Sequence, residues 1–145
     1  TGCRYLADPR QTRYVVDGWN VTGDIYRRDA DGYFSYVART DDMIISSGYN
    51  IAAPEVEAAL LSHTAVAECA VVGIASAERG QQVAAAIVVG AGVSADANLA
   101  AQLQNHVKAA IAPYKYPRTI LFVADLPRTP TGKIKRDAVL GLFGG

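Results

Sequence analysis

The sequence has little of what marks several large classes of protein. Its two cysteines, Cys3 and Cys69, lie far apart and form no C-x-x-C pair, so neither a disulfide framework nor a zinc site is supported. Its apolar runs are too short and too broken for a membrane span, and none resembles a signal peptide. The formal net charge is zero, which argues against binding of nucleic acid or membrane through overall charge. We therefore expect a cytoplasmic protein with no bound metal and no membrane or nucleic-acid partner.

What is present is typical of a globular domain. Half of the 145 residues are apolar and 19% are charged, enough for one modest domain with a real core. Cys69 lies in an apolar run, which indicates a small core residue. The chain begins at Thr1 without an initiator Met and with no clean strand or helix pattern. This start suggests a piece of a longer protein, although a processed terminus would look the same.

The basic residues are unevenly distributed. Between positions 113 and 136 there are six of them and one acid, Asp125. Such a local excess of positive charge suits an anionic ligand. A solvated basic face fits the same composition, and at this point both interpretations stay open.

The hydrophobic pattern predicts strands and helices in alternation. A hairpin is expected from Asp24–Arg28 and 33–38 around the turn 29–32, and the polar run 39–42 marks a boundary. The remaining expected elements are a strand at 43–47, a helix from Ala53, strands at 66–74 and 82–89, a helix from Ser94, a strand at 119–124 and a helix at 136–142. Together they predict an α+β fold: a small two-layer domain with a β-hairpin and a roughly three-stranded sheet packed against helices.

The loop 127–133 is the first candidate for chemistry. Two prolines stiffen it, and Gly132 allows close approach to a ligand, so the ammonium of Lys133 could meet phosphate or carboxylate oxygens. It is not a Walker A loop, because Pro127 stands where the first glycine is needed and Ile134 where Ser or Thr should follow the lysine. A surface turn before a helix fits the same residues.

Three polar segments offer further candidates. Asp24 in Thr-Gly-Asp could accept hydrogen bonds from the two hydroxyls of a ribose, but a plain turn also fits. The run 39–42 suits either a functional hinge or a solvated linker. Segment 46–50 is small and polar beside a strand, with room for a narrow ligand to pass over Gly48. Taken singly, none of these segments identifies a function.

The order of the motifs is more specific than any one of them. The succession T-G-D, then D-G-Y-F-x-Y-x-A-R-x-D-D-x-I-I-x-x-G-Y-N-I-x-x-x-E-V-E, then P-R-T-P-T-G-K-I-x-R resembles the adenylate-forming superfamily. That superfamily holds acyl- and aryl-CoA synthetases, adenylation domains of peptide synthetases, and luciferases. The resemblance runs from about residue 17 to residue 142. Within it, D-D-M-I-I-S-S-G-Y-N-I looks most like benzoate- or 2-aminobenzoate-CoA ligases.

The resemblance implies a role for each matching residue. Lys133 matches the adenylation lysine, Asp41 the hinge of the C-terminal domain, Asp24 the ribose-binding acid, and Arg39 an arginine on ribose or phosphate. Gly48 matches the glycine that lines the pantetheine path. The looser CoA-side matches are Tyr49, Asn50, Arg79, Tyr114, Lys115 and Tyr116. The family has G-x-R where this chain has G-Y-N, so Asn50 carries no charge at that position.

The resemblance also implies the reaction of a parent enzyme. ATP and Mg²⁺ would activate a carboxylic acid, an aromatic one by the likeness to benzoate-CoA ligases, to an acyl-adenylate, and CoA would then take the acyl group as a thioester. It further implies that residues 1–40 end a large N-terminal domain and that residues 41–145 form a mobile lid. The partner would be the missing N-terminal domain, and the chain alone should be inactive, with no bound cofactor.

Two other classes remain as alternatives. In a carrier-loading adenylation domain, the CoA-side residues would dock a phosphopantetheine-bearing protein instead. An anion- or nucleic-acid-binding module would use the basic segment 113–136.

Overall fold

A computed structural model describes residues 15–17 and 19–144. Within it the chain divides into two compact units, one ending at Asp41 and one beginning at Asp42. Each is described separately below. The predicted α+β class is confirmed, since a mixed sheet packs against helices in the second unit.

The first unit is built around an antiparallel hairpin. Short strands β1 (Val15–Val16) and β2 (Trp19–Asn20) pair with each other, and β3 (Asp24–Arg28) pairs with β4 (Phe34–Arg39). The predicted turn closes through Asp29, whose Oδ1 accepts the Tyr33 amide at 2.8 Å, and Gly32 adopts the positive φ expected for it. At the open end of the hairpin Asp24 pairs with Arg39 across the two strands.

The second unit holds a five-stranded sheet in the order β6-β5-β8-β7, with β9 also pairing β8. Its elements are β5 (Met43–Ser46), β6 (Tyr49–Ala52), α1 (Ala53–Leu61), β7 (Val66–Ser76), β8 (Gly80–Val89), α2 (Ala97–Ala110), β9 (Thr119–Phe122) and α3 (Arg136–Gly141). Only β9 runs parallel to its neighbour, and α2 provides the crossover that this requires. Single 3-10 turns lie at Thr40–Asp42 and Pro113–Lys115.

Strand β6 was not predicted, and together with the four strands expected after the hairpin it makes a sheet of five strands where roughly three were expected. Segment 46–50 looked like a polar loop, yet Ser47 and Gly48 form a two-residue turn in which both have positive φ. That geometry matches the right-handed twist of paired strands and returns the chain directly alongside β5. Ile51 then pairs with Ile44 in the ladder.

Both faces of the sheet carry apolar side chains. Along β8, Val83, Ala85 and Ile87 pack in the cluster beneath α1 and α2, whereas Ala84 and Ala86 pack with Leu126 and Val139. The alternation follows from the period of two in a strand. The structure therefore adds to the predicted two layers a partial third one, formed by α3 and the chain around Leu126.

The helices begin where local chemistry favours them. Pro54 lies in the first turn of α1, and the Asp96 Oδ1 caps α2 by accepting the Leu99 amide at 2.8 Å. The helix was predicted to begin at Ser94. The cap at Asp96 places its first residue at Ala97, three positions later. The longest helix in residues 15–17 and 19–144 has 14 residues, too few for a bilayer-spanning segment.

Candidate functional site

Lys133 lies at the end of a tightly closed loop. Arg128 and Ile134 form an antiparallel bridge, the Thr129 amide donates to the Lys133 carbonyl at 2.7 Å, and the Thr129 hydroxyl accepts the Lys133 amide at 3.1 Å. Gly132 turns the chain with φ +85°. The backbone of Lys133 is thus held, whereas its side chain is exposed and its ammonium makes no ion pair within the described part of the chain.

Two arginines flank this loop and fix it to the rest of the unit. Arg128 donates to the Gly132 carbonyl at 3.0 Å and forms an ion pair with Glu68 on β7. On the other side, Arg136 forms ion pairs with Asp42 at 2.7 Å and with Glu57 at 2.8 Å. From the sequence, these arginines were letters of the last motif and members of a basic segment, with no role assigned to either.

The Arg136 site is half-buried and strongly charged. Burial lowers the pKa of the guanidinium, but the hydrogen bond with Glu57 and the charges of Glu57 and Asp42 outweigh it and leave the pKa above its usual value. Burial also raises the pKa of the neighbouring Cys69 thiol to about 12, and the charge of Glu57 adds to this rise. Cys69 is therefore a protonated core residue, as the sequence predicted, and not a nucleophile.

Asp24 and Arg39, the predicted nucleotide-binding pair, meet at the base of the first hairpin. Arg39 Nε lies 3.9 Å from Asp24 Oδ1, and the Thr40 amide and hydroxyl both donate to the Gly23 carbonyl. The Asp24 carboxylate is 29% exposed. It is thus oriented but keeps acceptor capacity for a ligand.

Gly48 and Arg79, two of the predicted CoA-side residues, lie together at the turn between β5 and β6. Arg79 Nη1 donates to the Ser47 hydroxyl at 3.2 Å, and the Ser47 amide donates to the Arg79 carbonyl at 2.9 Å. A Cβ added at Gly48 would meet no atom within 4 Å, so the space above the turn is open. This combination suits a narrow ligand passing over the glycine.

An aromatic pair extends the same surface. The rings of Tyr49 and Tyr114 lie 4.6 Å apart between centroids and are inclined by 31°. Tyr49 is 55% exposed and Tyr114 is 40% exposed. Both rings can therefore offer part of a face or edge to a planar ligand.

The other CoA-side residues are placed differently. Lys115 Nζ is held by the Glu55 carboxylate at 2.6 Å, so its charge is already paired. The Tyr116 ring lies under two cations, Lys108 Nζ at 4.2 Å and the Arg118 guanidinium at 4.7 Å, and packs against the larger core cluster. Asn50 is exposed on β6. Asp41 is exposed in the Thr40–Asp42 turn, where the two units meet in sequence.

The Lys133 loop and the Gly48 turn are attached to opposite ends of one ladder. The loop is anchored through Glu68, which pairs with Val88, whereas the turn contacts the end at which Ser76 pairs with Gly80. Glu68 and Ser76 are eight residues apart on β7, which corresponds to about 26 Å. The anchors of the two candidate sites therefore lie far apart within one compact unit.

Curated proteins similar to this chain are acyl-CoA synthetases. The chain is 48% identical over 139 residues to human acyl-coenzyme A synthetase ACSM4, mitochondrial, and the match covers 94% of this chain and 24% of that protein. It is 47% identical over 133 residues to an uncharacterized acyl-CoA ligase, YtcI, of Bacillus subtilis, a match that covers 91% of this chain and 25% of the relative. The chain thus spans about a quarter of the length of the curated relatives it matches.

A solved structure and a family match agree with the sequence comparison. The anthranilate CoA ligase AuaEII, in complex with anthranoyl-AMP, is 36% identical, with a TM-score of 0.82 over 96% of this chain and 27% of that one. Residues 55–133 match the family described as the AMP-binding enzyme C-terminal domain. The chain belongs to the AMP-binding enzyme C-terminal domain family, as its motif order predicted.

Proposed function

We propose that this chain is the mobile catalytic lid of an AMP-forming acyl-CoA synthetase. The complete enzyme would join a carboxylic acid to ATP, giving an acyl-adenylate and pyrophosphate, and would then transfer the acyl group to CoA with release of AMP. Residues 1–40 would end its large N-terminal domain and residues 41–145 would form the lid. Family membership and the names of the relatives support this proposal.

The observation that carries the proposal is the separation of the Lys133 loop from the Gly48 turn. The two half-reactions need different groups over the same acyl carbon: a cation during adenylation and a path for the thiol during transfer. The residues of β7 that anchor the two surfaces, Glu68 and Ser76, are about 26 Å apart along the strand, and we infer from this that the two surfaces do not face one active site together. A rotation about Asp41 would present them in turn.

Lys133 would act in the first half-reaction. Adenylation brings two anions together, the carboxylate and the α-phosphate, and a compact ammonium between them offsets their repulsion. It would also stabilise the charge that develops on the transferring oxygens. The held backbone and the exposed side chain of Lys133 suit this task, since the ammonium can reach away from the loop.

Asp24 and Arg39 would bind the nucleotide. The partly exposed Asp24 carboxylate can accept hydrogen bonds from both ribose hydroxyls, and Arg39 can donate to ribose or phosphate oxygens. Mg²⁺ would accompany the ATP phosphates. The described residues bring together no group of three His, Cys, Asp or Glu side chains that could hold a metal, so we derive no step through it.

The surface around Gly48 would act in the second half-reaction. The pantetheine arm would pass over Gly48, and the CoA nucleotide would meet Tyr49, Tyr114 and Arg79. Asn50, which follows Tyr49 on β6, and Tyr116 would be further CoA contacts. Lys115 would contribute chiefly through its pair with Glu55, which holds the Tyr114 segment to α1.

We propose an aromatic acid as the substrate and the cytoplasm as the location. The likeness to an anthranilate CoA ligase supports the first proposal. The human relative carries the word mitochondrial in its name, so cell fractionation should compare both compartments. We also propose that the 145-residue chain has no activity of its own, because it spans only about a quarter of the length of the acyl-CoA synthetases it matches.

A panel of carboxylic acids assayed with the complete enzyme tests the proposed function. We expect ATP-dependent formation of a CoA thioester, with benzoate-like acids ahead of aliphatic ones, and none from the 145-residue chain alone. Transfer only to a phosphopantetheine-bearing protein would favour the carrier-loading alternative. Failure to form any adenylate across the panel would contradict the proposal.

A further inference from the structure

Arg136 has a set of contacts that the proposed roles do not use. Its Nη1 donates to Glu57 Oε1 and to the Val71 carbonyl, each at 2.8 Å, and its Nη2 lies 3.2 Å from Glu57 Oε2. Its Nε lies 2.7 Å from Asp42 Oδ1. One guanidinium thus connects α3 to α1, to β7 and to the first residue of the second unit.

The network depends on Arg136 because its partners are poorly solvated. The side chains of Asp42 and Glu57 are 16% and 17% exposed, and Glu57 also accepts the Val71 amide at 2.9 Å. Without the guanidinium, the two poorly exposed carboxylates would lose their shared counter-charge, and at least one of them would have to move toward water.

Arg136 lies three positions after Lys133, at the start of α3. The Lys135 amide between them donates to the Pro127 carbonyl at 2.8 Å, so the backbone that carries Lys133 is continuous with the fixed end of α3. At the other end of the network, Asp42 directly follows Asp41, the proposed hinge. The same arginine therefore joins the catalytic loop to the hinge segment.

We propose that Arg136 is a positioning residue, which holds Asp42 and the Lys133 loop as one rigid body so that rotation at Asp41 delivers the lysine to the adenylation site. This inference rests on the proposed function. Arg136 itself touches no reacting atom; it acts through Lys133. Its loss should therefore affect adenylation and spare the thioester step, which uses the opposite end of the ladder.

The variants Arg136→Gln and Arg136→Lys in the complete enzyme test this role, with Lys135→Gln as the matched control. Lys135 is an exposed neighbouring cation without an ion pair among the described residues. We expect Arg136→Gln to lower kcat for adenylation by about 10- to 100-fold through misplacement of Lys133. Arg136→Lys should recover part of the loss, because it keeps the charge without the fork geometry.

Two further readouts separate positioning from a general structural role. In a Lys133→Ala background, Arg136→Gln should cause no additional loss of adenylation, since both changes act through the same group. Hydrogen exchange in Arg136→Gln should become faster in the loop 127–135 and at the Val71 amide, which Glu57 accepts, and should stay unchanged in β8. Equal losses in both half-reactions with faster exchange throughout the sheet would overturn the proposal, as would unchanged adenylation.

The exchange measurement does not depend on the proposed function. If the wild-type enzyme forms no adenylate from any acid, the proposed function fails and so does the catalytic part of this inference. The exchange rates of the loop 127–135 would still decide whether Arg136 holds it in place. Unchanged loop exchange in Arg136→Gln would reject the positioning role, even in an enzyme that adenylates normally.

Discussion

Tyr49 on β6 and Tyr114 in the 3-10 turn after α2 place their rings 4.6 Å apart. The contact joins two segments that are distant in the chain into one aromatic surface next to the Gly48 turn. Lys115 secures this arrangement through Glu55 on α1. The pair is therefore positioned before any ligand arrives, which favours binding of a planar group at low entropic cost.

Removal of one ring should weaken the binding of CoA. Stacking of a base on an aromatic side chain contributes about 1–3 kcal/mol, so Tyr114→Ala should raise the KM for CoA by about 10-fold in the complete enzyme. Tyr114→Phe keeps the ring and should behave like wild type. Initial-rate kinetics with varied CoA measure the effect, and an unchanged KM in Tyr114→Ala would remove Tyr114 from the CoA site.

A side chain at Gly48 should obstruct the thiol path without disrupting the fold. Gly48 has φ +81° and open space around it, and Asn tolerates this backbone conformation better than most residues. Gly48→Asn should therefore slow thioester formation and spare adenylation.

Gly92 offers a matched control for this substitution, since it has φ +76° and equally open surroundings in the turn after β8. Gly92→Asn carries the same backbone strain and should leave both half-reactions at wild-type rates. Stopped assays of each half-reaction make the comparison. If both variants slowed thioester formation alike, the path over Gly48 would be refuted.

How much of this could be predicted from the sequence depends on the range of the interactions. Local signals sufficed for the first hairpin, where Asp29 and Gly32 specify the turn, and for the helix that begins near Pro54. Strand β6 was not predicted because the small, polar residues of segment 46–50 mark the end of the preceding strand without indicating a second one. The symmetry of Ile44 and Ile51 around that turn was the signal that could have revealed it.

The contacts of Arg136 could not be predicted from local sequence signals. Glu57 and Arg136 are 79 positions apart, and no periodicity links an acid on one helix with a base on another. The motif letters E-V-E and G-K-I-x-R contained both residues, but only the packing of α3 on the sheet brings them together. The same limit applies to the separation of Lys133 from Gly48, which follows from the length of the β7–β8 ladder.

Cys69 should be unreactive in the folded protein. Its pKa of about 12 leaves almost no thiolate at pH 8, so a disulfide reagent should modify Cys69 slowly in a Cys3→Ser variant and rapidly after denaturation. Fast reaction of the native variant would show that the β7 region opens readily.

The raised pKa of Cys69 also predicts how the free energy of unfolding changes with pH. The folded-state pKa lies above the ordinary value of 9.0, so the folded state holds its proton more tightly than the unfolded state does. This contribution to stability is complete below about pH 9 and is lost as the pH rises toward 12. Denaturant unfolding at pH 8 and pH 10.5 measures this contribution in Cys3→Ser and in the double variant Cys3→Ser, Cys69→Ala. If both variants lost the same unfolding free energy between the two pH values, the effect would belong to other groups.

The most direct test of the account is Lys133→Ala in the complete enzyme, with the two half-reactions measured separately. We predict that the rate of adenylation, measured by pyrophosphate exchange, falls by about 10²–10³-fold or more. The reason is the loss of an electrostatic group that acts in the transition state. Thioester formation from supplied acyl-adenylate should be largely unchanged, since Lys133 lies at the other end of the ladder from Gly48. Lys135→Ala serves as the control and should preserve both rates. Equal losses in the two half-reactions of Lys133→Ala, or normal adenylation, would contradict the assignment of Lys133 and the alternating use of the two surfaces.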